Sequence, residues 1–300
     1  MRVFVTGATG LVGRALCAEL VGRGHTAVAL SRAPGGGGRL AAGAIPVQGD
    51  PASPGAWQDE LVRCDACVHL AGEPLDAGRW NAERKRRIRE SRVRSTANVA
   101  AVLRERGPAV LVSGSAVGFY GSRGDEVLDE ASAPGEGFLA EACQAWEAAA
   151  MGAAPRARVV LLRSGLVLAA HGGALPRMAR PFRLFAGGPL GDGAFWQPWI
   201  HLADEVGLVL FALAEGRASG PLVAAAPEPA RNRDLARAIG QVLRRPSAVP
   251  APAFALRVAL GEMAEVVLSS QRAVPRKALA LGYRHRFPDL AGALRDLLRR

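Results

Sequence analysis

The stretch that decides the fold is "RVFVTGATGLVG", residues 2–13. The apolar run Val3–Val5 reads as a strand buried on both faces of a parallel sheet. Gly7, Gly10 and Gly13 then follow at three-residue intervals. At a strand-to-helix joint the first glycine permits the tight turn. The second lets a diphosphate approach backbone N–H groups, and the third lets helix pack on strand. The helix N-terminus adds partial positive charge for the phosphates. Thr9, Leu11 and Val12 complete the phosphate-facing turn. The competing reading is a glycine-rich turn without a ligand; the position directly after the first strand of a β-α-β run weighs against it.

Working outward, "LVGRALCAELVGRG" has apolar spacing of three and four, with Gly24 closing a helix. "TAVALSR", "AIPVQGD", "ACVHLAG", "AVLVSGSAVG" and "ARVVLLRSGLVL" read as further strands, and a long helix is expected over residues 81–106. Strands alternating with helices predict an α/β fold: a Rossmann-like, doubly wound parallel sheet. After residue 170 the pattern changes to an aromatic-rich loop and then helices. We expect a dinucleotide-binding domain over 1–225 and a small, mostly helical substrate or capping part over 226–300. Residues 170–200 are expected to pack with that part over the cleft.

Composition narrows the class. A chain of 300 residues with 49% hydrophobic content buries a substantial core. No apolar run reaches the roughly 18 residues of a membrane span, and the first residues do not read as a signal peptide. A cytoplasmic protein without a membrane partner is expected. Cys64 and Cys67 form a lone C-x-x-C whose second member lies in a strand-like run, so packing is the reading and no metal is expected. The net charge is +11, and all but two of the 38 basic residues are arginine. Such charge suits an anionic small ligand. With aromatics at only 5%, the basic residues lack the interleaved rings of a nucleic-acid surface, and no nucleic-acid partner is expected. A monomer or homodimer acting on a small molecule is the expectation.

The end of the second strand selects the cofactor. An NAD site places Asp or Glu there to accept the ribose hydroxyls. This chain reads Leu30-Ser31-Arg32. Arg32 can pair bidentately with a 2′-phosphate and Ser31 can donate to it, so NADP(H) is preferred. A solvated loop arginine is the alternative.

Taken together, "TGATGLVG", "LSR", "HLAGEP", "RIRESR", "SGSAVGFYG", "RSGLVL", "GGPLGDG", "WIHLADE" and "QRAVPRKALALGYRHRFPDL" resemble an atypical branch of the extended short-chain dehydrogenase/reductases, the epimerase family proteins with a C-terminal domain of unknown function. The resemblance runs over nearly the whole chain. It implies Ser31 and Arg32 on the 2′-phosphate, Leu70 and Ala71 beside the adenosine, Arg87 and Arg92 facing the cofactor cleft, Val167 near the nicotinamide, and Asp50, Gly72 and Arg163 among the other cofactor-binding residues.

The family's proton-transfer pair, Tyr then Lys four residues later, is missing. The two tyrosines, Tyr120 and Tyr283, are followed at that distance by Gly124 and Phe287, and the two lysines are Lys85 and Lys277. In "GFLAEACQAWEAAA", residues 137–150, alignment on Glu147 puts Leu139 and Cys143 in the pair's places. An unassisted phenol with a pKa of about 10 is disfavoured as a base by roughly 4 kcal/mol at neutral pH. As a donor to a developing alkoxide it needs no such help. Tyr120 is therefore the candidate donor and Ser115 the candidate polariser, with a backbone-bonded serine as the alternative for the latter. Two functions stay open: an NADP(H)-dependent oxidoreductase or epimerase-like enzyme, acting on a carbonyl or nucleotide sugar, and a non-catalytic NADP(H)-binding sensor or scaffold.

Overall fold

The structure is a computed structural model that describes residues 1–299. Its centre is a seven-stranded parallel sheet. The strands are β1 (Arg2–Thr6), β2 (Thr26–Ser31), β3 (Ile45–Gln48), β4 (Ala66–His69), β5 (Val110–Ala116), β6 (Arg158–Ser164) and β7 (Gly220–Ala224). Across the sheet they run β3-β2-β1-β4-β5-β6-β7. Chain order reverses between β1 and β4, and in open α/β sheets a crevice forms there, beyond the carboxyl ends of the strands.

Helices cover both faces. α1 (Leu11–Gly22) lies on one face, α2 (Trp57–Val62), α3 (Ala82–Glu105) and α4 (Phe138–Met151) on the other. α5 (Leu175–Arg183) follows the sixth strand, and α6 (Leu202–Ala214) packs beside α1. Because the strands are sandwiched, their residues are apolar on both sides: Val3, Val5 and Val68 meet α1 and α6, whereas Phe4, Val28 and Cys67 meet α2 and α3. Each fully buried aliphatic side chain of this kind contributes about 1.5–3 kcal/mol.

Local chemistry sets the helix ends. Asn81 caps α3, its side chain accepting from the Arg84 N–H at 2.8 Å. His201 caps α6 through Nδ1, which accepts from the Ala203 N–H at 3.0 Å. At the far end of α6 the Arg158 guanidinium donates to the Ala212 and Leu213 carbonyls, where a cation also meets the negative end of the helix dipole.

The last quarter of the chain contributes α7 (Asn232–Leu243), α8 (Ala253–Leu260), α9 (Ala264–Leu268), α10 (Arg276–Ala280) and α11 (Leu290–Leu298). α5, α7 and α11 share an apolar cluster built on Phe182, Trp199, Leu235, Ile239 and Leu294. Short pairings tie this part to the sheet. Trp199–His201 runs parallel to Leu166–Leu168, and Arg272–Ala273 runs parallel to Val127–Leu128. The Arg231 and Arg272 guanidinium groups both lie over the Trp196 ring, and its indole donates to Asp125. Asp204 of α6 is buried and accepts from the backbone N–H groups of Arg286 and Phe287 at 2.7 and 2.9 Å. No helix among the described residues is long and apolar enough to cross a membrane.

Candidate functional site: a dinucleotide crevice and an adjoining pocket

At the carboxyl end of β1, Gly7 takes φ +67°, a left-handed conformation that glycine adopts without strain. A Cβ on Gly7 would stand 2.7 Å from the Leu70 carbonyl carbon, so only glycine lets the β1 turn lie against the β4 turn. A Cβ on Gly13 would stand 2.2 Å from the Gly7 oxygen, which is how closely α1 packs under the loop. Gly10 is the N-cap of α1, and no side chain caps the helix. Its first turn holds no acidic residue. The cradle therefore offers backbone N–H groups and the positive end of a helix, the combination that holds a diphosphate. Thr9, Leu11 and Val12 are half-buried along it.

A second device locks the two turns together, and it centres on His69, which sequence reasoning passed over. Thr6 Oγ1 accepts from the Leu70 and Ala71 N–H groups, each at 3.2 Å, and lies 2.7 Å from His69 Nδ1. With its acceptor sites filled, the threonine hydroxyl donates to Nδ1. The His69 Nε2–H then donates to Ser95 Oγ at 3.2 Å, and the Ser95 hydroxyl to the Ser91 carbonyl at 2.6 Å. Burial holds the His69 imidazole neutral, its pKa lowered to about 4. Threonine directly before the first glycine, with histidine ending the neighbouring strand, was the available signal.

The remaining cofactor candidates divide. Ser31 is buried and its hydroxyl accepts from the Ala33 N–H at 3.2 Å. Arg32 is exposed beside it and forms no ion pair among the described residues, so its guanidinium is available to an anion at the end of β2. Asp50 closes a turn, its carboxylate accepting from the Ala52 N–H at 2.9 Å. Leu70 and Ala71 line the turn facing Gly7. Arg92 packs against Gly72 and over the Trp146 ring, with its guanidinium carbon 5.2 Å from the ring centroid and donating to the Glu73 and Ile88 carbonyls. Val167 is half-buried in the short strand Leu166–Leu168, paired with Ile200, and Gly172 and Gly173 of the loop that follows lie on Leu11 at the start of α1.

Arg87 pairs with Glu73, which it shares with Arg84, at 3.1 and 2.6 Å, and stays exposed. One cofactor candidate is corrected. Arg163 lies in the interior with 3% exposure, since its guanidinium is taken up by Glu147 in a two-pronged pair of 2.8 Å contacts.

The same network corrects both catalytic candidates. The Ser115 hydroxyl donates to Glu147 at 2.6 Å. The Tyr120 hydroxyl donates to the Asp129 carbonyl at 2.8 Å and accepts from Arg163 at 3.1 Å, and the residue is fully buried. Burial pushes its pKa up to about 12. Polar residues after a strand end read as cleft residues in the sequence; here a buried arginine turns them inward.

Beside α4 a pocket of about 500 Å³ opens between the turn after β5 and the α8–α9 segment. Leu139, in the place of the family's tyrosine, lines it together with Gly118, Ser122, Glu136, Phe138, Arg257 and Gln271. Cys143 is buried behind and its thiol is pushed up to about 11 by burial. Lys85 pairs with Glu262 and lies over Phe138, whose ring meets Trp80 edge-on. Residues 72–85 therefore run from the crevice to the pocket wall.

Sheet order, glycine turn and uncapped helix define a dinucleotide-binding Rossmann-like protein. A sequence profile of the NAD dependent epimerase/dehydratase family matches residues 3–224, and one for a domain of unknown function, DUF1731, matches residues 251–297. The chain belongs to this epimerase/dehydratase family and carries its DUF1731 C-terminal segment. It is 39% identical to the chloroplastic epimerase family protein SDR39U1 homolog of Arabidopsis thaliana, over 99% of this chain and 87% of that protein. The human epimerase family protein SDR39U1, solved with NADPH, superposes with a TM-score of 0.88 at 34% identity, covering 100% of this chain and 99% of that one. A nucleoside-diphosphate sugar epimerase from Corynebacterium glutamicum gives a TM-score of 0.79 at 35% identity, over 99% of this chain and 58% of that one.

Proposed function

We propose that this protein binds NADP(H) in the crevice between the β1 and β4 turns and acts as an oxidoreductase on a small carbonyl compound in the pocket beside α4. The observation that carries the reading is Arg32 at the end of β2, exposed and without an ion pair among the described residues, where the sequence has no acid to accept ribose hydroxyls. The NADPH in the human relative's structure supports it. When bound, the cofactor supplies the hydride.

The chain's own residues bind and orient. Gly7, Gly10 and Gly13 leave room for the diphosphate, and Arg32 with Ser31 selects the 2′-phosphate. The Thr6–His69–Ser95 chain fixes the facing turns. Leu139 presents an apolar wall where the family has a proton carrier, and Tyr120 is withdrawn from the role of donor. Protonation of a reduced carbonyl then falls to solvent in the pocket, and this favours reduction over alcohol oxidation, which requires a base.

The test is a calorimetric titration of NADPH and NADH, with Arg32→Ala alongside. Arg32→Ala is expected to weaken NADPH at least tenfold and leave NADH unchanged. Absence of binding by either dinucleotide would defeat the proposal. One observation favours the non-catalytic reading: the pair's places are held by Leu139 and a buried, protonated Cys143. Tight NADPH binding without NADPH consumption across a carbonyl panel would select it.

A further inference from the structure

The segment "GYRHRF", residues 282–287, lies apart from both the crevice and the pocket. Its side chains alternate. Tyr283 donates to the Asp204 carbonyl at 3.1 Å, His285 contacts the Ala225 carbonyl at 2.9 Å, and Phe287 stacks on His201 with ring centroids 3.8 Å apart. Arg284 and Arg286 are left on the exposed side. There they border a groove of about 750 Å³ between this segment, α6 and the outer face of α1. A volume of this size suits a small organic ligand.

The groove has an aromatic floor and, at its rim, two guanidinium groups not taken up by any ion pair among the described residues. Phe211 and Tyr283 meet edge-on at 5.4 Å, and Phe287 continues the floor. Each acid of the lining is already hydrogen-bonded: Glu19 accepts from Arg23 at 2.8 Å, Asp296 from His201 Nε2 at 3.3 Å, and Asp204 from the two backbone N–H groups. Arg284 and Arg286 form no ion pair among the described residues, and Arg286 lies over the Phe287 ring at 5.3 Å. α1 gives the groove Ala15, Glu19 and Arg23, whereas the crevice uses its N-terminal turn, so the two sites share a helix but no side chain.

We infer that this groove is a second ligand site, selective for a planar organic anion whose ring rests on the aromatic floor and whose carboxylate, sulfonate or phosphate faces Arg284 and Arg286. Guanidinium groups supply both charge-assisted hydrogen bonds and stacking to such a ligand. The site stands independently of the hydride reading.

The probe is 8-anilinonaphthalene-1-sulfonate, titrated by its own fluorescence into protein saturated with NADP⁺, so that the crevice is filled. Saturable binding is expected at one site. The double variant Arg284→Ala/Arg286→Ala is expected to weaken it at least tenfold, and Leu210→Trp, which narrows the groove without changing charge, at least fivefold. The control Arg94→Ala/Arg104→Ala on α3 removes equal charge elsewhere and is expected to change it less than twofold. Thermal unfolding of each variant verifies that it folds. No saturable binding, undiminished binding by the double variant, or an equal loss in the control overturns the inference. NADPH titration of the same variants reads the crevice separately.

Discussion

Two buried polar networks stand at the carboxyl ends of neighbouring strands and do opposite things with their hydrogen bonds. Thr6, His69 and Ser95 form an uncharged chain that holds two backbone turns at a fixed separation and leaves the α1 N–H groups facing outward. Ser115, Glu147, Arg163 and Tyr120 form a charged cluster that closes on itself, with side-chain exposure of 4% for Arg163 and 8% for Glu147. The first network builds a site for something else. The second occupies the ground where a short-chain dehydrogenase/reductase would keep its proton chemistry and turns it into structure.

The largest effect expected from this contrast is at the charged cluster. Arg163→Met leaves Glu147 buried without its cation, and unfolding in urea is expected to show a loss of about 3–5 kcal/mol. The double variant Arg163→Met/Glu147→Leu is expected to recover most of it, since a buried pair replaced as a whole costs little. If the single variant is as stable as the parent, the cluster is not the structural element described.

At the neutral network, Thr6→Val keeps the shape and removes the hydroxyl. The Leu70 and Ala71 N–H groups and His69 then lose a partner, at an expected cost of about 1–3 kcal/mol. NADPH affinity is expected to fall in parallel, whereas Arg163→Met affects stability first. A Thr6→Val protein that binds NADPH normally would break the assignment of this network to the crevice.

The pH dependence separates two more groups of about the same size. His69 has a folded pKa of about 4 against an ordinary 6.5. Its contribution is complete above 6.5 and is lost as the pH falls toward 4, because the unfolded chain takes up the proton first. The full effect is about 3 kcal/mol. Glu205 is fully buried, bonded to Ser164 at 2.5 Å, with Oε2 lacking a partner among the described residues. Burial lifts its pKa from 4.5 to about 7, so its contribution is complete below 4.5 and lost as the pH rises through 7. Glu205→Gln is therefore expected to stabilise the protein at pH 8 and to have little effect near pH 4.5, as read by urea unfolding at the two pH values.

The smallest effect is at Arg87. Its pair with Glu73 is 58% exposed on the arginine side, so Arg87→Ala is expected to change stability by less than about 0.5 kcal/mol. A large loss of NADPH affinity in that variant would instead support the cleft-facing role that the resemblance implies.

The sheet and the glycine turn were legible because they rest on local signals: apolar runs of strand length, and glycines at positions where a Cβ has no room. Residue type alone placed Arg32 at the end of β2. Side-chain direction was not legible in the same way. Ser115 near the end of β5 and Tyr120 just after it stand where cleft residues do, yet their orientation is set by Arg163 and Glu147, distant in sequence. The role of His69 was equally hidden, because it depends on a register that sets Thr6 opposite His69 across β1 and β4.

The Asp204 carboxylate, seated in the interior and held by donors more than 75 positions further along the chain, has a practical consequence. Cutting the protein near residue 225 removes these donors and leaves the Asp204 side chain without its hydrogen-bond partners. A truncated version is expected to be insoluble on expression, and adding the missing segment in trans as a separate polypeptide is the way to rescue it.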